Sequence, residues 1–155
     1  MNCSTETHYI EQILDDGLLG FLKDDPVRPS IPSTNRIKHN KESYVLFNYE
    51  TCCVDAVVCV AYTDRVLTEE SEVYEDCNDP SIAMFYTVWS YTPGAGRKII
   101  LAVRDYIIHS KPEITRFVTL SPQTEMARKF HLRNGAFELQ VNKNTCLLYT
   151  SDAAD

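Results

Sequence analysis

Residues 81–108 read SIAMFYTVWSYTPGAGRKIILAVRDYII, and this stretch decides the fold. An apolar strand-like run is followed at once by Thr92-Pro93-Gly94-Ala95-Gly96-Arg97 and then by an amphipathic helix reaching about His109. Ile99, Ile100, Val103, Tyr106 and Ile107 fall on one face of that helix, and Ser110-Lys111-Pro112 stops it. Strand, glycine turn and helix together aim backbone N–H groups at an anion. The first turn of a helix carries unpaired donors and a partial positive charge, and glycine lets a ligand approach the backbone.

Outward from this unit, residues 5–23 place Ile10, Ile13, Leu14, Leu18, Phe21 and Leu22 at helical spacing, with Ser4 or Thr5 as cap and Glu6 in the first turn. Asp24 to Asn40 contains Pro26, Pro29 and Pro32 and reads as a long connection. Ser43–Tyr49 and Val54–Tyr62 read as strands of a hairpin, and Ile82–Tyr91 as a third. The acidic segment TEESEVYEDCNDP lies between the second and third. After the helix, Arg116–Leu120 is a short strand, and Ser121-Pro122 reads as an N-cap followed by a first-turn proline. Met126, Ala127 and Phe130 share a helix face, Asn134-Gly135 stops that helix, and Phe137, Leu139 and Val141 alternate as a strand. The order describes one mixed α/β domain. Its early strands are antiparallel, and its central strands are joined by a right-handed helical crossover.

The last ten residues, Cys146 to Asp155, resemble the translation of a transposase-type sequencing adaptor. On that reading residues 1–145 form the domain and 146–155 are a non-native read-through tail, with CLLYT able to mimic a terminal strand. The formal charge is −7; without Asp152 and Asp155 it is −5, from 15 Lys+Arg against 20 Asp+Glu. Such acidity argues against nonspecific nucleic-acid binding. No apolar run approaches the ~20 residues of a membrane span. The start, MNCSTETHYIEQ, lacks the basic and apolar regions of a signal peptide. The six cysteines include no C-x-x-C pair, and the four histidines are scattered, so no metal site is expected. Free, buried thiols in a reducing cytoplasm are the expected state.

The glycine turn is neither a P-loop nor a dinucleotide fingerprint: Gly-Lys-Ser/Thr is absent, and Ile99 stands where a third glycine is required. The combination does resemble the GNAT superfamily of acyl-CoA-dependent N-acyltransferases over roughly Tyr44 to Val141. The family signature, Gln/Arg-x-x-Gly-x-Gly/Ala, is met by Tyr91-Thr92-Pro93-Gly94-Ala95-Gly96, with Tyr91 as the departure. A second family motif, Ala-x-x-Phe-Tyr-x-x-x-Gly-Phe, is similar to Ala127 to Phe137. There His131 replaces the tyrosine, and Ala136 is an extra residue. The stretch SPQTEMARKFHLRNGA is also similar to acetyltransferase-like proteins of tailed bacteriophages, which implies a host cytoplasm.

The resemblance implies a GNAT-like, mixed α+β fold: a central, partly antiparallel sheet of 5–7 strands flanked by helices. It implies acetyl-CoA as co-substrate and a small or protein-borne amine as partner, in a monomer or homodimer. The amides of Gly94, Ala95 and Gly96 would hold the pyrophosphate, with Arg97 and Lys98 adding charge. Backbone groups of Val88 and Ser90 would hold the pantetheine arm, and an amide near Val88 would polarise the thioester. His131 would protonate the leaving thiolate. The third strand carries no carboxylate, so Glu72 or Glu75 of the acidic segment is the candidate base, with Ser90 among the strand's polar groups. Two alternatives are a GNAT-fold binding module without transfer chemistry and a phage enzyme that modifies nucleobases.

Overall fold

The computed structural model describes residues 7–14, 17–122, 129, 133, 137–141 and 145–152. Seven strands form one sheet in the order β1-β2-β3-β4-β5-β7-β6. They are β1 His8–Gln12, β2 Lys41–Asn48, β3 Cys53–Thr63, β4 Ile82–Ser90, β5 Arg116–Pro122, β6 Phe137–Val141 and β7 Thr145–Asp152. Helix α1 spans Ala95–Ser110 and joins β4 to β5, which pair in parallel; Lys129 and Arg133 are also helical. The remaining described pairs, β1–β2, β2–β3, β3–β4, β5–β7 and β6–β7, are antiparallel.

Both faces of the sheet are covered. On one, Leu46, Ala56, Val58, Phe85 and Phe117 pack beneath Ile99, Ile100, Val103 and Ile107 of α1. On the other, Val45, Val57, Cys59, Met84, Val118 and Leu120 pack beneath Leu22, Ile31, Leu67 and Val73. That second cover comes from the whole segment between β1 and β2, with short 3-10 turns at Leu19–Asp24, within the stretch expected to be helical, and at Ser33–Arg36 in the proline-bearing connection, and from the acidic segment, with another at Glu70–Tyr74. β3 is buried along nearly its whole length because it lies between two strands and under both layers.

Several expectations from sequence are corrected. Residues 8–12 are a strand, not part of a helix. Their exposure alternates, and they pair with β2, so period-two packing prevails over the helical spacing of Ile10, Ile13 and Leu14. Ser121 and Pro122 belong to β5, where they pair with Cys146 and Thr145, and so do not cap a helix. Tyr106 leaves the apolar face of α1: it is 47% exposed and meets Tyr44 edge-on. Among the described cysteines, Cys59 is a buried free thiol, Cys77 is half-buried, and Cys52 and Cys53 are exposed at the β2–β3 turn. β7 is the CLLYT segment and supplies the strand between β5 and β6.

A candidate functional site between two diverging strands

Two bulges shape the upper sheet. In β4, Phe85 pairs with Val60 and Thr87 with Cys59, so Tyr86 is an extra residue. In β3, Ala56 pairs with Leu46 and Val54 with Phe47, so Asp55 is the extra residue. The β4 bulge coincides with the parting of β4 from β5. Their register runs from Ile82↔Arg116 to Phe85↔Thr119 and ends there. Beyond it β5 continues to Pro122 along β7, while Tyr86 to Ser90 continue along β3. The result is a wedge-shaped opening with its vertex at the Phe85↔Thr119 rung.

The backbone of β4 faces that opening. The Tyr91 N–H donates to Asp55 O on β3 at 2.7 Å. Successive residues of a strand present their amides to opposite edges, so Ser90 and Val88 turn theirs toward the opening. Ser90 is exposed and Val88 half-buried. At the vertex, Thr119 shares the α1 side of β5 with Phe117, is 2% exposed, and its Oγ1 has no hydrogen-bond partner among the described residues. A buried hydroxyl left unpaired is unusual and suits a site that a polar ligand completes.

The chain beyond β4 delivers the helix N-terminus to the same place. Gly94 takes φ +82°, a left-handed conformation that an L side chain rarely adopts, and a Cβ there would meet nothing within 4 Å. The backbone turns sharply into α1, with no side chain capping it. Ala95 N–H donates to Thr92 O and Lys98 N–H to Gly94 O, whereas the amides of Gly96 and Arg97 take no backbone acceptor among the described residues. Arg97 and Lys98 are exposed beside them, while Ala95 and Gly96 are buried. The other flank of the turn borders a cavity of about 450 Å³ that also contains the His8–Asp55 pair, whose Nε2 and Oδ2 are 2.7 Å apart. The β3 bulge explains this pair, because it turns the Asp55 side chain onto the α1 face, where His8 lies.

The opposite, loop-covered mouth of the opening holds a buried polar network that the sequence did not single out. Arg28, 4% exposed, donates from Nε to Tyr86 O at 2.7 Å, from Nη2 to Leu120 O at 2.8 Å and from Nη1 to Glu70 Oε1 at 2.9 Å. Asp25 accepts from the Arg28 N–H, the Thr87 hydroxyl and Arg36 Nη1 at 3.0, 3.0 and 2.7 Å. Arg36 also donates from Nη2 to Arg28 O at 2.8 Å. Burial pushes the Tyr86 phenol well above its ordinary range, beside the Cys59 thiol that burial likewise pushes up. Tyr91, at the departing motif position, donates its hydroxyl to Asp24 and accepts from Trp89 Nε1. Burial, with Asp24 assisting, raises its pKa.

The structure therefore brings Val88, Ser90, Gly94, Ala95, Gly96, Arg97 and Lys98 to one end of the sheet. It does not bring Glu75 there. The Glu75 carboxylate pairs with Arg65 at 2.9 Å, and its carbonyl accepts from Lys41 Nζ at the start of β2, across β3 from the N-terminal half of β4. Glu72 shares Arg65 and caps its own turn. Among the described residues, the carboxylates at the loop-covered mouth include the buried Asp25 and Glu70, which is half-buried against Arg28 and Ser30. His131 lies outside the described residues. Among the described residues, no cluster of side chains could hold a metal ion, and no helix is long and apolar enough to cross a membrane.

Solved structures similar to this chain include acetyltransferases and a larger enzyme that the chain matches over part of its length. The GNAT domain of PAT from S. lividans superposes with a TM-score of 0.64 at 13% identity, over 96% of this chain and 92% of that one. The fold is the GNAT fold. Campylobacter jejuni N-acetyltransferase PseH matches at 0.58 and 10% identity over 93% and 97% of the two chains, and it has also been solved with acetyl coenzyme A. Malonyl-CoA decarboxylase from Agrobacterium vitis matches at 0.66 and 19% identity over 83% of this chain, which spans only 36% of that enzyme. No family model and no curated protein matches the sequence. At these identities the likeness establishes fold, and the GNAT-like sheet expected from the turn and element order is the one observed.

Proposed function

We propose that this protein is an acyl-CoA-dependent N-acetyltransferase. The observation that carries the reading is the β4–β5 opening, which ends at the uncapped, glycine-led N-terminus of α1. A diphosphate suits the free amides of Gly96 and Arg97, with the Arg97 and Lys98 side chains at hand. A pantetheine arm suits the edge of β4 at Val88 and Ser90, where it would hydrogen-bond as an added strand. The solved complex of PseH with acetyl coenzyme A supports the same co-substrate here.

In the reaction, the neutral amine attacks the thioester carbonyl carbon. The new C–N bond forms, the C–S bond breaks, and the sulfur leaves as thiolate. An amide of β4 near Val88 stabilises the developing oxyanion. We assign the thiolate's proton to His131, which occupies the family's tyrosine position in sequence. The amine's proton leaves through water to a carboxylate. Glu70 takes precedence over Glu75 for that role by position alone: both carboxylates pair with an arginine, but the partner of Glu70 is Arg28 at the opening, whereas that of Glu75 is Arg65, away from it.

A second reading, a binding module of GNAT fold without transfer chemistry, is favoured by one observation: Tyr91 replaces the motif's Gln or Arg and is tied to Asp24. Calorimetry with acetyl-CoA tests both. Saturable binding by the wild-type chain, lost in a folded Gly96→Glu variant, is expected. Binding without turnover across an amine panel selects the second reading, and no binding by the folded wild type refutes both.

A further inference from the structure

We propose that Arg28 is a positioning residue that holds β4 and β5 at the separation an acyl-pantetheine arm requires; this rests on the acyl-CoA reading above. The guanidinium meets one carbonyl from each strand, Tyr86 O at 2.7 Å and Leu120 O at 2.8 Å. These are the first residues past the last direct rung, Phe85↔Thr119. A ladder that simply stopped would leave both carbonyls desolvated and unpaired, or let the strands close on each other. A rigid planar fork prevents both outcomes, since its Nε and Nη2 donors are separated by fixed covalent geometry.

The fork itself is immobilised. Its third arm is tied to Glu70 at 2.9 Å, its own N–H to Asp25 and its own carbonyl to Arg36. Asp25 is further bound to Thr87 on β4, so the segment that carries the spacer is anchored to the strand it spaces. The connection between β1 and β2 is thus part of the site. It closes the loop-side mouth at the vertex and leaves the α1 side, where Thr119 and the glycine turn lie, as the side of entry.

Lysine keeps the charge of arginine and loses the fork, so Arg28→Lys is the discriminating variant. Ile31→Ala serves as control: it truncates a buried side chain of the same connection but removes no donor or acceptor of the Arg28 fork, and so reports the effect of lost packing around an intact fork. Acetyl-CoA affinity is measured by calorimetry on the full chain, with near-ultraviolet dichroism to establish folding. Arg28→Lys is expected to weaken binding ~10-fold or more through loss of preorganisation, while Ile31→Ala stays within about twofold. An Arg28→Lys variant that folds and binds within twofold of wild type overturns the proposal. Should that variant not fold, the Arg28 Nε–H resonance of the wild type decides. It is expected to shift and to exchange more slowly on saturation with acetyl-CoA. No change, in a chain that demonstrably binds, overturns the proposal. Absence of binding by the wild type refutes the acyl-CoA reading itself.

Discussion

Thr119→Val is expected to make the protein more stable and a poorer binder of acetyl-CoA, two effects of opposite sign from one oxygen atom. Thr119 is 2% exposed, sits at the last β4–β5 rung, and leaves its Oγ1 without a partner among the described residues. A buried polar group in that state costs roughly 1–3 kcal/mol of desolvation. Valine fills nearly the same volume, keeps the branched Cβ that suits a strand, and needs no hydrogen bond. Allowing for incomplete desolvation, the net gain is set at about 1 kcal/mol, or about 2–4 °C in midpoint for a chain of this size. In the complex the hydroxyl is expected to bond the pantetheine or thioester. Its loss should remove about 0.5–1.5 kcal/mol, a rise in Kd of about two- to thirteenfold. Urea unfolding and calorimetry on the two purified chains measure the pair of effects. A variant destabilised by more than about 1 kcal/mol would show that the hydroxyl already has a partner. Unchanged affinity would show that it faces no ligand.

Two further predictions concern the polar interior. Asp25→Asn leaves the Arg36 guanidinium, whose side chain is wholly buried, without its counter-charge; breaking such a pair should cost ~3–5 kcal/mol, and a loss below about 1 kcal/mol in urea unfolding would contradict the network's assigned weight. At alkaline pH the fold should weaken steeply. Burial raises the pKa of Tyr44, Tyr62 and Tyr86, so the folded chain keeps these protons while the unfolded chain releases them near 10. That contribution is complete below pH ~10 and declines above it, by up to ~1.4 kcal/mol per pH unit for each tyrosine. Lys41, lowered by burial, acts in the opposite direction with a single proton. Urea midpoints measured from pH 8.5 to 10.5 should therefore fall at the upper end, and a flat or rising profile would refute the argument.

The part of the fold legible in the sequence is the part where local and tertiary preferences agree. Residues 82–110 satisfy strand alternation, a glycine-led helix start and one apolar helix face at once, and the strand and helix lie where they were expected. Lys41–Asn48 and Cys53–Thr63 were legible for the same reason. β1 was not, because its five residues form an edge strand with only modest burial, and the local spacing of apolar residues also fits a helix. The cleft divides in the same way. Gly94 and Gly96 announce themselves because glycine has few uses in a strand-to-helix turn other than a left-handed φ or a close approach. Arg28 and Glu70 carry no such mark. They are separated by 42 residues, sit in segments that read as polar connection and solvated acidic loop, and gain meaning only when the sheet brings Tyr86 O and Leu120 O beside them.

That contrast explains why the opening survives in a sheet that could otherwise zip shut. Parallel strands joined by a helical crossover are free to extend their ladder, and β5 continues for three residues past the last rung with β7 secured on its other edge. Three features oppose closure. The extra residue at Tyr86 bends β4 toward β3, as a bulge increases local twist. Gly94 then turns the chain out of the strand and into α1, with the φ of +82° that glycine accommodates. The Arg28 fork takes the carbonyls that a further rung would need. The first two belong to the strand-turn-helix unit and act on β4 alone. Of these three features the arginine is the one that touches both strands, so it is the one that acts on their separation directly. Removing it should therefore alter the cleft before it alters the fold.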